Sequence, residues 1–316
     1  MLKIGVFGVG HLGKIHLKCL EETPFKVVGF FDPNDENAGR AEQEFGIQRF
    51  HEEDTLISMV DAVDIVTPTP FHYALAMKAL NHRKHLFIEK PVTNHIIEAK
   101  ELVARVSDLG VVAQVGHVER FNPAFTSLPP EKLKPQFIES HRLASFNPRG
   151  TDVSVILDLM IHDLDLILSL VDDEIIDISA NGVKVVSETP DICNARLTFR
   201  NGCVANVTAS RISLKKMRKL RLFQEDAYIS IDFLEKESQI ITLSDNNEGS
   251  VMPIETFKGI RYLNMQSTGN KDNNAIVDEL NAFYQSIHQG VAPKVTIMDG
   301  FKALEFASQI EKTILK

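Results

Sequence analysis

The stretch Leu2-Lys3-Ile4-Gly5-Val6-Phe7-Gly8-Val9-Gly10-His11-Leu12-Gly13-Lys14-Ile15 decides how the N-terminal part of this chain folds. Leu2 to Phe7 is an apolar, strand-like run, and Gly8, Gly10 and Gly13 follow it at once. Leu12, Ile15, Leu17 and Leu20 then recur at helical spacing until Thr23-Pro24 stops the helix. A second strand, Phe25 to Phe31, ends in Asp32, 19 positions after Gly13. Strand, glycine turn, helix and second strand make one crossover of a parallel sheet. In such a crossover Gly8 makes the tight turn, Gly10 lets backbone approach a phosphate group, and Gly13 lets the helix lie against the strand.

The same alternation continues outward through a helix from Asn34 to Glu44, a strand Val63 to Val66 and a helix Phe71 to Leu80. A strand Lys84 to Ile88, a helix Asn94 to Ser107 and a strand Val111 to Val115 complete it. Repeated strand–helix alternation predicts an α/β domain over residues 1–121, a doubly wound parallel sheet of Rossmann type. The helix start after Gly10 offers N–H groups and a positive dipole end to a pyrophosphate, so Gly8, Gly10, His11, Leu12 and Gly13 read as a dinucleotide site. Asp32 is suited to accept hydrogen bonds from the adenosine ribose and would repel the 2′-phosphate of NADP. No arginine follows it directly, so NAD is expected in preference to NADP. The plainer role for Asp32 is to cap the helix after Pro33. Two further turns, Thr67-Pro68-Thr69-Pro70-Phe71-His72 and Glu89-Lys90-Pro91, follow strand ends, where open parallel sheets bind ligands. Thr67, Pro68, His72, Glu89 and Lys90 are therefore expected at the cofactor. Lys90 is also long enough to reach a substrate, or else to be an ordinary solvated lysine.

A chain of 316 residues suits two domains. The net charge of -9 argues against nucleic acid as a partner, since that needs a basic surface. The longest apolar stretch, Val153 to Val171, contains Asp158, His162, Asp163 and Asp165, too much charge for a membrane span. Leu2 to Val9 is too short and too glycine-rich for a signal peptide. Cys19, Cys193 and Cys203 follow no metal or redox spacing and read as buried thiols. A cytoplasmic location is expected.

Residues 122–316 predict a second, α+β domain with a large, mostly antiparallel sheet, whose last helix can pack back on the first domain. Alternation in Cys193, Ala195, Leu197, Phe199 and in Cys203, Ala205, Val207, Ala209 marks two strands. A three-residue loop, Arg200-Asn201-Gly202, sets Leu197 opposite Ala205 and Cys193 opposite Ala209, with Gly202 left-handed. Helices are predicted over Val153 to Val171, Asn273 to His288 and Met298 to Leu315. On a regular helix Asp158, His162 and Asp165 fall at about 0°, 40° and 340°, one polar stripe on a largely apolar cylinder. Such a stripe serves a structural network, a metal held by one histidine and two carboxylates, or acid–base catalysis. His117, Arg120, Asn122, His141, Arg142 and Arg149 form a polar set suited to an acidic or nucleotide-linked sugar, or to surface and interdomain ion pairs. The basic run Lys215 to Arg221 reads as a solvated strand or loop, or as the lining of an anion pocket.

The glycine fingerprint, the Thr67 to His72 turn, the Glu89-Lys90-Pro91 turn and the Asp158–His162 spacing resemble the Gfo/Idh/MocA oxidoreductases over essentially the whole chain. Val115 to Pro123 and Leu157 to Asp165 further resemble a branch of MviM-like and UDP-N-acetylglucosamine 3-dehydrogenase-like proteins. The resemblance implies hydride transfer between a sugar or nucleotide-sugar secondary alcohol and NAD, without a metal. It implies a C-terminal sheet that builds a homodimer or homotetramer, and a cis bond between Lys90 and Pro91. Lys90, His162 and Asp158 are the implied catalytic set, with Arg120, Asn122, Arg149 and Asp165 beside them at the substrate. His162 suits the general base, Asp158 its orienting carboxylate and Lys90 the stabiliser of the alkoxide. Lys90 as the base stays open. The scaffold also serves non-catalytic NAD-bound sensors and redox-neutral sugar lyases or hydrolases that recycle NAD internally.

Overall fold

The computed structural model describes residues 1–147, 153–225, 227–246, 251–257, 259–269 and 272–315. β1 (Lys3–Phe7), α1 (His11–Leu20), β2 (Lys26–Phe31) and α2 (Asp35–Phe45) open the chain. β3 (Arg49–Phe50), α3 (Glu53–Met59), β4 (Ala62–Ile65) and α4 (His72–Asn81) follow, then β5 (His85–Glu89), α5 (Ile96–Leu109) and β6 (Ala113–Gly116). The strands pair in the order β3-β2-β1-β4-β5-β6, every pair parallel. The strand order turns back between β1 and β4, so the crevice for a ligand opens at the glycine turn. β3 has two residues, too few to show as a period in the sequence.

After α6 (Pro123–Thr126) come β7 (Phe137–Leu143), α7 (Ile161–Leu170), β8 (Ile175–Val183), β9 (Ile192–Phe199) and β10 (Val204–Ser210). β11 (Met217–Phe223), β12 (Ala227–Asp232), β13 (Glu237–Ser244), β14 (Met252–Thr256) and β15 (Gly259–Thr268) extend the same sheet. Its order is β14-β15-β13-β12-β11-β7-β10-β9-β8, antiparallel except where β7 lies parallel to β10. The β9–β10 hairpin has the expected register, with Leu197 opposite Ala205, Cys193 opposite Ala209 and Gly202 at φ +89°. All three cysteines are buried and unbridged. Burial pushes the Cys193 thiol up to about 12 and the Cys203 thiol up to about 11. The basic run forms β11, where Lys219 meets Asp232 at 3.1 Å and Arg221 meets Glu139 at 3.3 Å.

α8 (Ala275–Gln289) and α9 (Ile297–Ile314) close the chain, and here the domain division differs from the simple split after residue 121. One unit comprises Met1–Phe121 with Asn274–Glu305, the other Asn122–Asn273 with Phe306–Lys316. The reason is the apolar face of α8. Val277, Leu280 and Phe283 join the core built by Leu17, Phe25 and Phe87, and the Phe283 ring lies 5.7 Å from Phe25 and 5.8 Å from Phe87. The Gln114 side chain of β6 donates to the Glu279 carbonyl at 2.7 Å, and Val115 N–H to the Val295 carbonyl at 3.1 Å.

The predicted helix from Val153 is not regular. Residues Ile156–Met160 form a π-helical turn before α7 begins. Its start is held by Arg211, which donates to the Val153 carbonyl at 2.6 Å and to the Asp191 carboxylate at 2.9 Å. Asp191 also accepts N–H bonds from Val185, Val186 and Ser187. These donors overcome the cost of burial and hold its carboxyl well below the usual range. Replacing Phe283 by alanine should cost the protein about 3–5 kcal/mol, read from urea unfolding. A loss under about 1 kcal/mol would place α8 outside that core.

Candidate functional site

The glycine turn is built by close backbone approach. Gly8 sits at φ +92°, and a Cβ there would meet the Thr67 backbone at 3.0 Å. A Cβ on Gly13 would collide with the Gly8 carbonyl, so the start of α1 can settle only on a bare glycine. Gly10 differs, because a Cβ there would meet nothing within 4 Å. It is the N-cap of α1, carries no side-chain cap, and no acid occupies the first turn. The N–H groups and dipole end of α1 are therefore available to an anion, with His11 and Leu12 exposed beside them.

Asp32 accepts an N–H bond from Val9 at 2.8 Å and another from Asn34 at 2.8 Å. It does not cap α2, since Asn34 does so by accepting from Asn37 N–H at 2.9 Å. Its carboxylate instead ties the glycine turn to the end of β2. An arginine does stand close by, out of sight in the local sequence. Arg49 of β3 donates to the Asp32 carbonyl at 3.0 Å and to Asp35 at 2.7 Å. An open Gly10, an uncapped helix start and a carboxylate at the end of β2 fit a dinucleotide with a free ribose diol.

The two later turns depart from expectation. His72 is 1% exposed, with one ring nitrogen 2.8 Å from the Thr67 carbonyl and the other 2.9 Å from the Pro91 carbonyl. Its side chain thus braces one turn against the other rather than facing the cofactor. Burial lowers its pKa, against the pull of both carbonyls and of Glu89. Glu89 is also interior, at 8% exposure. One carboxylate oxygen lies 3.3 Å from His16 Nε2 and the other accepts the Lys90 N–H at 3.2 Å. A Cβ on Gly116 would stand 2.5 Å from this carboxylate, so β6 must carry glycine there. Lys90 is half-buried, and Lys90–Pro91 is cis, as the resemblance implied.

Neither His16 nor Asp64 was singled out from the sequence. His16 of α1 is fully buried and bonds Asp64 of β4 through Nδ1 at 3.0 Å. Burial alone would lower the His16 pKa, but the Asp64 carboxylate and the bonds to Asp64 and Glu89 raise it well above the usual value. The available signal was Asp64 itself, an acid inside the apolar strand Ala62-Val63-Asp64-Ile65, where parallel strands are covered on both faces.

In the second unit the predicted polar stripe begins in the π turn. Asp158 lies in that turn, while His162 and Asp165 lie in the regular helix α7. Asp158 and His162 are part-exposed, whereas Asp165 is 1% exposed. Asp163 is fixed to β7 by a forked pair with Arg142 at 2.8 and 3.2 Å, which withdraws Arg142 from the polar set. Asn122 is similarly committed: it caps α6 through Ala124 N–H and donates to the Phe233 carbonyl at 3.1 Å. Arg149 lies outside the described residues.

In the first unit Arg120 lies 3.9 Å from Asp299. Burial, and then Arg120, lowers the pKa of the neighbouring Lys294. Among the described residues, the histidine–carboxylate group with spacing suited to a cation is His16, Glu89 and Glu279, not the stripe.

The buried imidazolium has a thermodynamic signature. Its folded pKa lies above the unfolded value, so the stability it gives is complete below about pH 6.5 and is lost as pH rises through the folded value. Unfolding free energy should therefore fall above neutrality, by at most about 1.4 kcal/mol per pH unit from this group. His16→Gln should flatten that slope in urea titrations, and an unchanged slope would assign the dependence elsewhere.

Residues 2–117 match the family model described as an oxidoreductase family with an NAD-binding Rossmann fold, and residues 115–230 match the GFO/IDH/MocA C-terminal domain. A UDP-N-acetylglucosamine 3-dehydrogenase of Acidithiobacillus ferrooxidans is 41% identical over 234 residues, 74% of each chain. The solved structure of that organism's enzyme superposes with a TM-score of 0.90 at 34% identity, covering 99% of this chain and 97% of that one. The scyllo-inositol 2-dehydrogenase of Bacillus subtilis is 27% identical over 96% of this chain and 91% of its own. No helix among the described residues is long and apolar enough to cross a membrane. Built on a Rossmann sheet with the dinucleotide turn of that fold, the chain belongs to the Gfo/Idh/MocA family of NAD-binding oxidoreductases.

Proposed function

We propose that this chain oxidises the C3 hydroxyl of a UDP-linked N-acetylhexosamine, UDP-N-acetylglucosamine first among them. The observation that carries this reading is the likeness, across both units, to an enzyme named for that reaction. NAD, when bound, supplies the hydride acceptor. The protein's own share is the proton. Oxidation of the alcohol removes hydride from carbon and a proton from oxygen, and His162 takes that proton with its ring oriented by Asp158. The Lys90 ammonium stabilises the alkoxide as it forms. Gly8, Gly10, Gly13 and Asp32 hold the dinucleotide through the turn and the ribose. Arg120 and Arg149 supply charge complementary to the diphosphate, while Asn122 and Arg142 also hold the fold through Phe233 and Asp163.

The reaction belongs in the cytoplasm, where UDP-sugars form and buried thiols stay reduced. We also propose a homo-oligomer built through the large sheet, whose outer strands expose Leu243, Met252, Ile260 and Met265.

A panel of UDP-sugars, free sugars and inositols with NAD, followed by nicotinamide absorbance, tests the substrate. UDP-N-acetylglucosamine should give reduced cofactor. Turnover only with inositols would reject the nucleotide sugar, product without reduced cofactor would indicate internal recycling, and no turnover with any alcohol would favour a sensor. His162→Ala should lower the rate about 100-fold or more while NAD affinity stays within about threefold. An unchanged rate would remove His162 as the base. Sedimentation should give a dimer or tetramer that Ile260→Asp weakens, and a monomer at micromolar concentration would reject the sheet as an interface.

A further inference from the structure

Four elements of the first unit bring ionisable side chains to one buried point: His16 from α1, Asp64 from β4, Glu89 from β5 and Glu279 from α8. His16 meets Asp64 at 3.0 Å and Glu89 at 3.3 Å, so one imidazolium serves two carboxylates. Glu279 is a third acid, with zero exposure. A carboxylate oxygen of Glu279, one of Glu89 and a ring nitrogen of His16 all lie within 4.8 Å of one another. Yet neither oxygen of Glu279 has a hydrogen-bond partner among the described residues. The groups that face it are His16 and the Cys19 thiol from α1, Asp64 from β4, Glu89 from β5 and Glu119 from the segment after β6. That surrounding is already negative. A further ionised carboxylate, unsolvated and unpaired, would cost several kcal/mol there.

We propose that Glu279 holds a proton at neutral pH and donates it to the Glu89 carboxylate, which makes Glu279 a positioning residue for Lys90. A carboxylate oxygen of Glu279 lies within 4.8 Å of one of Glu89, and Glu89 in turn accepts the backbone N–H of Lys90 at 3.2 Å. With Glu279 neutral, His16 and Lys90 face Asp64, Glu89 and Glu119 without a further acid charge among them. Burial, reinforced by Glu89, pushes Glu279 well above the usual carboxylate range, in the same direction. A divalent ion is the competing occupant. Such an ion would have to complete its shell beyond these three donors, whereas one proton removes the Glu279 charge outright.

The inference rests on the reading of Lys90 as a substrate-facing ammonium, so one readout must be independent of turnover. Infrared difference spectra of the NAD-bound protein provide it. At neutral pH the wild type should show the carbonyl band of a protonated carboxyl group, absent in Glu279→Gln and retained in Asp165→Asn. Absence of the band from the wild type, or its survival in Glu279→Gln, overturns the proposal whatever the substrate.

In kinetics Glu279→Gln, neutral and still a donor, should restore the wild-type pH profile of kcat. Glu279→Leu, which cannot donate, should lower kcat about tenfold with KM for NAD unchanged and displace the acidic limb. A profile displaced in Glu279→Gln would mean that a real charge had been removed, against the proposal. One equivalent of metal in the purified wild type, lost in Glu279→Gln, would also overturn it. Failure of every sugar to turn over would undo the reading of Lys90 and leave the infrared result intact.

Discussion

The imidazole of His16, enclosed between two carboxylates, is the contact on which the first unit's working face depends. It links α1, whose start carries the open glycine, to β4 and to β5, the strand that ends in Glu89 just before Lys90. The interior allows charge only where it is paired, so these elements cannot shift independently without stranding an ion. The close fits nearby reinforce the same geometry. Gly13 lies against the Gly8 carbonyl, and Gly116 leaves room for Glu89. Gly10 stays open at the uncapped start of α1, which suits a fold that grips a dinucleotide through main-chain N–H groups.

How much of this was legible follows from the range of the interactions. The glycine turn, Asp32 and the alternating strands are local signals, and the hairpin register followed from matching apolar faces across three loop residues. What stayed hidden depends on partners far along the chain. Glu89 and His72 carry motif positions, and nothing in the motif says that one side chain turns inward to His16 while the other spans two carbonyls. Asn122 and Arg142 looked like ligands because polar residues in sequence reveal chemistry but not commitment. The irregular helix start was hidden for another reason. A period of 100° presumes regular hydrogen bonding, and the π turn at Ile156–Met160 leaves no mark in composition.

The second unit solves the buried-charge problem with arginine. Arg142 forks onto Asp163 to fix α7 on β7, and Arg211 gathers Asp191 and the Val153 carbonyl to fix the start of the preceding turn. Planar guanidinium groups suit this task, since several donors in one plane hold both a carboxylate and a carbonyl in place. Asp158 and His162 sit on the segment between these two anchors. Both are partly exposed, beside fully buried Asp163 and Asp165.

The return of α8 to the first unit carries a consequence for synthesis. The ribosome completes β1 to β6 within the first 116 residues, but the core these strands need gains Leu280 and Phe283 only after the whole second sheet has been made. β7 waits as well, since its two neighbours, β10 and β11, begin at Val204 and Met217. The first unit therefore reaches its final core only after the second sheet is made, and the second draws Ala307 and Ile310 from α9 at the end of the chain. The nascent chain must carry an unfinished Rossmann sheet, apolar surface uncovered, through most of its translation, the period in which chaperone binding and aggregation compete with folding.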